Sequence, residues 1–129
     1  MLVATVAFYA GLCGIIAMAL SAIVVRRRFA NRVDLGTGGN SAVEQAIRVH
    51  GNFSEYVPLI LLLLLLLAMG GVSAYWLHGL GIALIVARLL HAQGLLSSRG
   101  ATPGRFLGIN LTWIVLIVAS IRAIILGAS

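Results

Sequence analysis

The chain has 129 residues, of which 61% are hydrophobic and 9% are charged, and its mean hydropathy is +1.10. A soluble domain of this length cannot hide that much apolar surface, so the composition excludes a soluble globular protein and predicts an integral membrane protein. The formal charge of +6 comes from nine arginines against three acids. These arginines lie at the edges of apolar runs or inside them, so no nucleic-acid-binding surface is predicted.

Four long apolar segments separated by short polar stretches predict one all-α domain over residues 1–129. We expect an integral membrane four-helix bundle whose helices cross the bilayer at about residues 2–25, 43–69, 72–96 and 105–126. The first segment has no basic residues before it and no convincing cleavage site, which favours a retained span over a cleaved signal peptide. Gly70-Gly71 predicts a tight reversal between the second and third spans.

Local signals predict how the helices begin and pack. Asn40 or Ser41 can cap the second helix, since Glu44 follows Ser41 at the spacing of a capping box. Cys13 lies alone in the first span, which indicates a buried structural thiol. Small residues four positions apart predict close helix packing, although in the first span they fit a generic helix equally well. This spacing occurs in the first span at Ala7 and Gly11, Ala10 and Gly14, and Ala17 and Ser21, in the third at Gly79, Ala83 and Ala87, and in the fourth at Ala119, Ala123 and Gly127.

The distribution of arginines predicts the orientation of the chain. Only Arg122 lies near the side of the bundle that carries the termini. The two loops on the other side are flanked by Arg26, Arg27, Arg28, Arg32, Arg99 and Arg105. By the positive-inside rule, both of these loops are cytoplasmic and both termini lie on the non-cytoplasmic side.

A polar stretch at residues 48–59 begins the second span and predicts a functional site. The apolar run over residues 56–69 covers only about 21 Å of helix, whereas a bilayer core is about 30 Å thick. The span therefore has to include polar residues, which at that depth should face protein or a water-filled cavity. Those that share one helix face are Arg48, Asn52, Glu55 and Tyr56.

The second and third spans form an antiparallel hairpin around Gly71, so residues equally far from that turn lie at equal depth. Arg88 and His91 are then level with Glu55 and Asn52. We predict that Glu55 and Arg88 neutralise each other, within a subunit or between subunits, because an unpaired charge at this depth is costly. A purely structural ion pair is the alternative to a functional one.

Arginines also surround the cytoplasmic mouth of the bundle and predict a site for a small polyanion. Guanidinium forks suit carboxylates, and amide and phenol groups supply further hydrogen bonds. The groups expected there are Arg26, Arg27, Arg48 and Arg105, with His50, Asn52, Tyr56 and Gln93. The three histidines lack metal-ligand spacing, so no metal site is predicted. The alternative is that such arginines reach lipid phosphates, which we prefer for Arg28, Arg32, Arg99 and Arg122.

The pattern Arg48-x-His50-x-Asn52-x-x-Glu55-Tyr56-x-Pro58 resembles the second-helix motif of the MAPEG family, the membrane-associated proteins in eicosanoid and glutathione metabolism. The resemblance covers all four spans, and the short length is similar to that of bacterial members. Further matches are Arg26-Arg27, Ala87-Arg88-Leu89, Gln93-Gly94 and Arg105.

The resemblance implies a homotrimer in the bacterial inner membrane, with glutathione bound between subunits near the cytoplasmic face. It implies glutathione contacts from Arg48, Asn52, Glu55 and Tyr56, with help from Arg26 or Arg27 and from Gln93. An arginine that begins the fourth helix stabilises the glutathione thiolate in synthase-like members, so Arg105 is the implied catalytic residue. A positive charge beside the sulfur favours S⁻ over SH.

One part of the third span departs from the family pattern. His91 and Leu95 stand where synthase-like members carry tyrosines. A glutathione contact is therefore lost at Leu95, and His91 either substitutes for the other tyrosine or has another role.

Two functions follow from these expectations. The first is a glutathione-dependent transferase or peroxidase for lipophilic electrophiles, which would enter from the membrane lipids along the apolar stretch after Pro58. The second is a non-catalytic lipid-binding or structural trimer of the same fold. A transporter is disfavoured, because four spans without internal repeats offer little machinery for alternating access.

Overall fold

The computed structural model describes residues 1–128, and Ser129 of the predicted domain lies outside that range. The described chain is all-α, as predicted, with helices α1 (Leu2–Asn31), α2 (Ser41–Met69), α3 (Ala74–Ser97) and α4 (Pro103–Ala128). Each contains an apolar window long enough to cross a membrane. The helices have 24 to 30 residues, which corresponds to about 36 to 45 Å and exceeds the thickness of a bilayer core.

The ends of α2 follow the predicted local signals. Asn40 is the N-cap, and its side-chain oxygen accepts hydrogen bonds from the backbone N–H groups of Ala42 at 3.0 Å and Val43 at 3.1 Å. At the other end the chain reverses over Gly70-Gly71, where Gly71 has a φ of 78°. Glycine adopts this left-handed conformation without the steric cost that a Cβ would add, so the predicted reversal is confirmed.

Loss of the N-cap should loosen the start of α2. We expect Asn40→Ala to lower the stability of the protein by about 1 kcal/mol, because two helical N–H groups lose their acceptor. Asn40→Asp is the matched control, since a carboxylate oxygen still accepts both bonds. Unfolding in mixed detergent micelles measures the difference, and equal stability of the alanine and aspartate variants would contradict the assignment.

Helices α2 and α3 form the centre of the bundle. Both α1 and α4 pack against α2 and α3, and within the described residues α1 and α4 do not touch each other. The buried stripe of α2 repeats every three or four residues, as expected of a helix that packs at a shallow angle against its neighbours. Its fully covered positions are Val43, Ala46, Val49, Val57, Ile60, Leu64 and Leu67.

The outward faces of the helices are apolar as well. Phe8, Ile15 and Met18 on α1 and Ile114 and Ile124 on α4 are all more than half exposed. A helix in water would carry polar residues there, whereas a helix in lipid needs none. The apolar exterior and the length of the helices together define an integral membrane protein.

The helices α3 and α4 come together at only part of the predicted small-residue stripe. A Cβ built on Gly11 or Gly79 meets no other atom within 4 Å, so these residues do not form close-packing seams inside the chain. A Cβ on Gly108 of α4 would instead lie 2.7 Å from the carbonyl oxygen of Ala87 and would also collide with the backbone of His91. The close contact therefore joins Ala87, which the four-residue spacing predicted, to a glycine of α4 that this spacing did not single out.

Candidate functional site

A polar cavity of about 290 Å³ opens where α2, the end of α3 and the start of α4 meet. It lies at the end of the bundle that carries the 32–40 and 98–102 loops, which is the predicted cytoplasmic end. Three guanidinium groups and one carboxylate line it, so its formal charge is positive. The lining residues are Ser41, Glu44, Gln45, Arg48, Asn52, His91, Leu95, Arg99 and Arg105.

Helix α2 supplies most of the polar lining from one face. Ser41, Gln45, Arg48 and Asn52 follow one another at intervals of three or four residues, so they stack along the same side of the helix. The side chain of Gln45 donates to the carbonyl oxygen of Leu95 at 3.2 Å. This bond ties the first turns of α2 to the end of α3.

The start of α4 is fixed against α3, and this places Arg105. The Thr102 hydroxyl donates to the carbonyl oxygen of Gly94 at 2.9 Å and accepts from the backbone N–H of Arg105 at 3.2 Å. Pro103 occupies the first helical position, where a missing N–H costs nothing. A Cβ on Gly94 would lie 2.6 Å from the Thr102 hydroxyl, so glycine allows the two helices to approach here.

Arg88 lies behind the cavity wall and is only 1% exposed. Its Nη2 donates to Oδ1 of Asn52 at 2.7 Å and lies 3.2 Å from Nδ1 of His91. Its Nη1 donates to the Thr112 hydroxyl at 3.2 Å, and its guanidinium carbon lies 5.8 Å from the centre of the Phe53 ring. Arg88 thus joins α2, α3 and α4, and it contacts two residues that line the cavity.

The predicted pairing of Glu55 with Arg88 is not made within the chain. Glu55 lies 3.7 Å from Arg48, and the two side chains are 54% and 60% exposed. Arg88 instead donates to the neutral groups of Asn52 and Thr112, and its buried Nε has no hydrogen-bond partner. Helices α2 and α3 bring polar groups to one level, as predicted, but the partner of Arg88 is Asn52, which lies about one turn nearer the start of α2 than Glu55.

The structure brings together Arg48, Asn52, His91 and Arg105 among the predicted site residues, with Arg88 directly behind them. Their role in binding stays a prediction. The arrangement offers guanidinium, amide and imidazole groups to one ligand, a set that suits carboxylates and other anions.

Five other predicted site residues lie outside this cavity within one chain. Arg26 is exposed, whereas Arg27 donates to the carbonyl oxygen of Ala42 at 2.7 Å and joins α1 to α2. The hydroxyl of Tyr56 accepts from the indole N–H of Trp113 on α4 at 3.2 Å. The remaining two do not line the cavity either: they are the half-buried His50 and the exposed Gln93.

Five lining residues were not predicted as part of the site: Ser41, Glu44, Gln45, Leu95 and Arg99. Arg99 was expected to reach lipid phosphates, but it lines the cavity and donates to the Ser41 hydroxyl. Glu44 and Gln45 precede Arg48 by one turn, so extending the helical-face argument backwards would have found them. Arg99 follows α3 in an irregular stretch that has no periodic signal.

The opposite end of the bundle carries a separate group of polar residues. The Tyr9 hydroxyl and Nδ1 of His78 are 2.8 Å apart, and the Arg122 guanidinium lies 4.8 Å from the centre of the Trp76 ring. Arg122 is therefore half-buried against an aromatic ring. Among residues 1–128, no cluster of three or more His, Cys, Asp or Glu side chains could hold a metal ion.

The fold and the cavity define a class: a small integral membrane protein of four helices with a cationic polar site at one end of the bundle. The model of the MAPEG family matches residues 6–125, and the chain belongs to this family. The chain is 38% identical over 112 residues to inner membrane protein YecN of Escherichia coli K12. The matched region covers 87% of this chain and 84% of the relative. The same values hold for YecN of the Escherichia coli O6:H1 strain CFT073. No solved structure matches the chain.

These comparisons confirm the predicted family and the membrane location. The relatives are described as inner membrane proteins, in agreement with the predicted compartment. The predicted orientation of the termini and the predicted trimer stay predictions.

Proposed function

We propose that the protein binds glutathione in the cationic cavity and presents its thiolate to lipophilic electrophiles, as a membrane-bound transferase or peroxidase of the bacterial inner membrane. The observation that supports this best is the convergence of Arg48, Arg99 and Arg105 on one cavity in a chain of the MAPEG family. Glutathione carries two carboxylates, which guanidinium groups bind by paired hydrogen bonds.

The charges in the cavity suit the whole tripeptide. Glu44 is the one carboxylate in the lining, and it is a suitable partner for the ammonium group of glutathione. Gln45 and Asn52 supply amide groups for the peptide bonds of the ligand. A simple dicarboxylate would leave Glu44 without a cationic partner, which is why we favour a ligand with both charges.

Arg105 lies between the polar cavity and a second, apolar groove. The groove has a volume of about 300 Å³ and is lined by Ala101, Thr102, Arg105, Phe106 and Ile109. A thiolate held at Arg105 can therefore meet an apolar substrate that enters from the lipid. The sulfur lone pair forms a bond to an electrophilic carbon or peroxide oxygen, and the leaving group departs with the electron pair. This groove on α4 is better placed for the substrate than the predicted route after Pro58 on α2.

We also propose the homotrimer that family membership suggests, with both termini on the non-cytoplasmic side. Glu55, Tyr56 and Gln93 lie outside the cavity of a single chain. A neighbouring subunit would complete the binding site if it placed its own copy of these residues, or of Arg26, at the mouth of the cavity. Crosslinking in native membranes tests the number of subunits.

Removing one guanidinium from the cavity should weaken glutathione binding. We expect Arg99→Gln to raise the Kd by roughly tenfold, because a hydrogen bond to a charged group is worth about 1.5–3 kcal/mol. Arg32→Gln is the matched control, since it removes an arginine of the same membrane face that does not line the cavity. Isothermal titration in detergent measures both, and equal losses would point to general charge rather than to this site.

A non-catalytic lipid-binding protein is the second candidate, and one observation favours it. A groove of about 320 Å³ between α1 and α2 is lined only by apolar side chains. An acyl chain would fit such a surface without any polar partner. If the purified protein retains lipid in this groove and does not bind glutathione, the lipid-binding function is the correct one. The lining residues are Val3, Val6, Ala7, Ala10, Leu61, Leu62 and Leu65.

A further inference from the structure

Arg88 is a buried cation that faces neutral partners. Among the described residues no carboxylate lies within ion-pair distance of it, and its three closest polar partners are Asn52, His91 and Thr112. Asn52 and His91 both line the cavity as well. Each of these two side chains therefore has one polar atom on Arg88 and another polar atom left for the cavity.

The chemistry of the guanidinium group determines which polar atom of Asn52 and of His91 binds Arg88 and which remains free for a ligand. Arginine has only N–H donors, so any group bound to it must accept. Asn52 uses its Oδ1 as the acceptor, at 2.7 Å, and its NH₂ group is left as the free donor. His91 must offer a lone pair on Nδ1, at 3.2 Å, so its imidazole is neutral and carries its proton on Nε2.

The orientation of Arg88 is itself held by α4. The Thr112 hydroxyl donates to the carbonyl oxygen of Gly108 at 2.8 Å, so it has a lone pair left to accept the Nη1–H of Arg88 at 3.2 Å. The Phe53 ring lies beside the guanidinium on the α2 side. The guanidinium is therefore held in this orientation by partners on three helices.

We propose that Arg88 is a positioning residue that turns the polar wall of the cavity into a surface of donors. It holds the amide of Asn52 with its NH₂ group towards the ligand, and it holds His91 as the Nε2–H tautomer. Together with the guanidinium groups of Arg48 and Arg105, these groups bind the acceptor atoms of a ligand, such as a carboxylate, whereas an ammonium group of the ligand is left to Glu44. The tautomer does not depend on which ligand binds, and only the binding test below rests on the proposed function.

The first test is the tautomer of His91, read by nitrogen-15 NMR of labelled imidazoles in lipid nanodiscs without ligand. We expect the Nε2–H pattern in the wild type, assigned by its loss in His91→Gln. Arg88→Met should produce a mixture of both tautomers, whereas Arg122→Met, which removes a half-buried arginine at the opposite end of the bundle, should leave the His91 signals unchanged. An Nδ1–H pattern in the wild type, or the same pattern with and without Arg88, would overturn the proposal.

The second test does not depend on the folding of an Arg88 variant. Asn52→Asp keeps the oxygen that accepts from Arg88 and replaces the donor towards the cavity with a second oxygen. Ser41→Asp adds the same charge to the same cavity and serves as the control, since its side-chain oxygen can still accept from Arg99. We expect glutathione to bind at least roughly tenfold more weakly to Asn52→Asp than to Ser41→Asp.

The outcomes separate the two proposals. Equal binding by Asn52→Asp and Ser41→Asp overturns the role of Arg88 in orienting Asn52. A wild-type protein that shows the Nε2–H tautomer but does not bind glutathione supports the positioning role and overturns only the proposed function.

Discussion

Arg105→Ala should abolish the formation of glutathione thiolate and lower kcat by roughly 10²–10³-fold, the usual effect of removing one group that stabilises developing negative charge. Arg105 lines both the polar cavity and the apolar groove. Its guanidinium can therefore lie beside the glutathione sulfur where the proposed apolar substrate meets it. It lies in the first turn of α4, where the helix dipole adds positive potential. The measurement is the ultraviolet absorbance of the thiolate on mixing protein with glutathione.

Two comparisons give this result its meaning. Arg105→Lys keeps a positive charge near the sulfur and should retain part of the absorbance, whereas Arg99→Ala should weaken binding but leave the thiolate signal at saturating glutathione. If Arg105→Ala bound glutathione and still formed the thiolate, another group would have to stabilise the sulfur. The assignment of Arg105 as the catalytic residue would then be wrong.

The fold was predictable because the physics of the bilayer is simple. Apolar segments of sufficient length specify the helices, and Gly70-Gly71 specifies the turn between two of them. The ends of the helices were less predictable, since a helix does not have to stop where the membrane does. The helix α1 continues through Arg26 to Asn31, because arginine is a good helix former and its charge is solvated by water outside the bilayer core.

The sequence predicted the position of the site along the helix axes, but not which side chains of α2 point towards Arg88. Distance from the turn at Gly71 correctly brought Arg88 level with the polar residues of α2. It could not tell whether Asn52 or Glu55 points at Arg88, because these two differ by less than one turn in height and by about 60° around the helix. The packing of α4 decides between them, since Thr112 draws the guanidinium towards that helix. That choice depends on contacts between residues far apart in the chain.

Polar residues outside regular helices were the hardest to place. Arg99 has no periodic neighbours that would indicate the direction of its side chain, and a lipid phosphate was the reasonable default partner. Its contact with Ser41 arises only after α2 and α3 have packed. Arg122 was also placed near a membrane surface from the sequence alone. In the structure it is half-buried, because the Trp76 ring on α3 lies against its guanidinium.

The second large effect is expected at Gly108, where α3 and α4 are in backbone contact. A Cβ at this position would lie 2.7 Å from the carbonyl oxygen of Ala87, and a backbone atom cannot rotate away as a side chain can. We expect Gly108→Val to cost about 3 kcal/mol, at the upper end of the range for overpacking. Unfolding in mixed micelles of dodecyl maltoside and sodium dodecyl sulfate measures it.

Gly79→Val is the control, since it places the same side chain on α3 where no atom lies within 4 Å. It should remain within about 0.5 kcal/mol of the wild type, because valine is the better helix former. Gly108→Val should also lose glutathione binding, since separating α3 from α4 removes Thr112 from Arg88 and moves Arg105 away from His91. A variant that was as stable as the control, or destabilised with unchanged binding, would show that the close approach of these helices does not build the site.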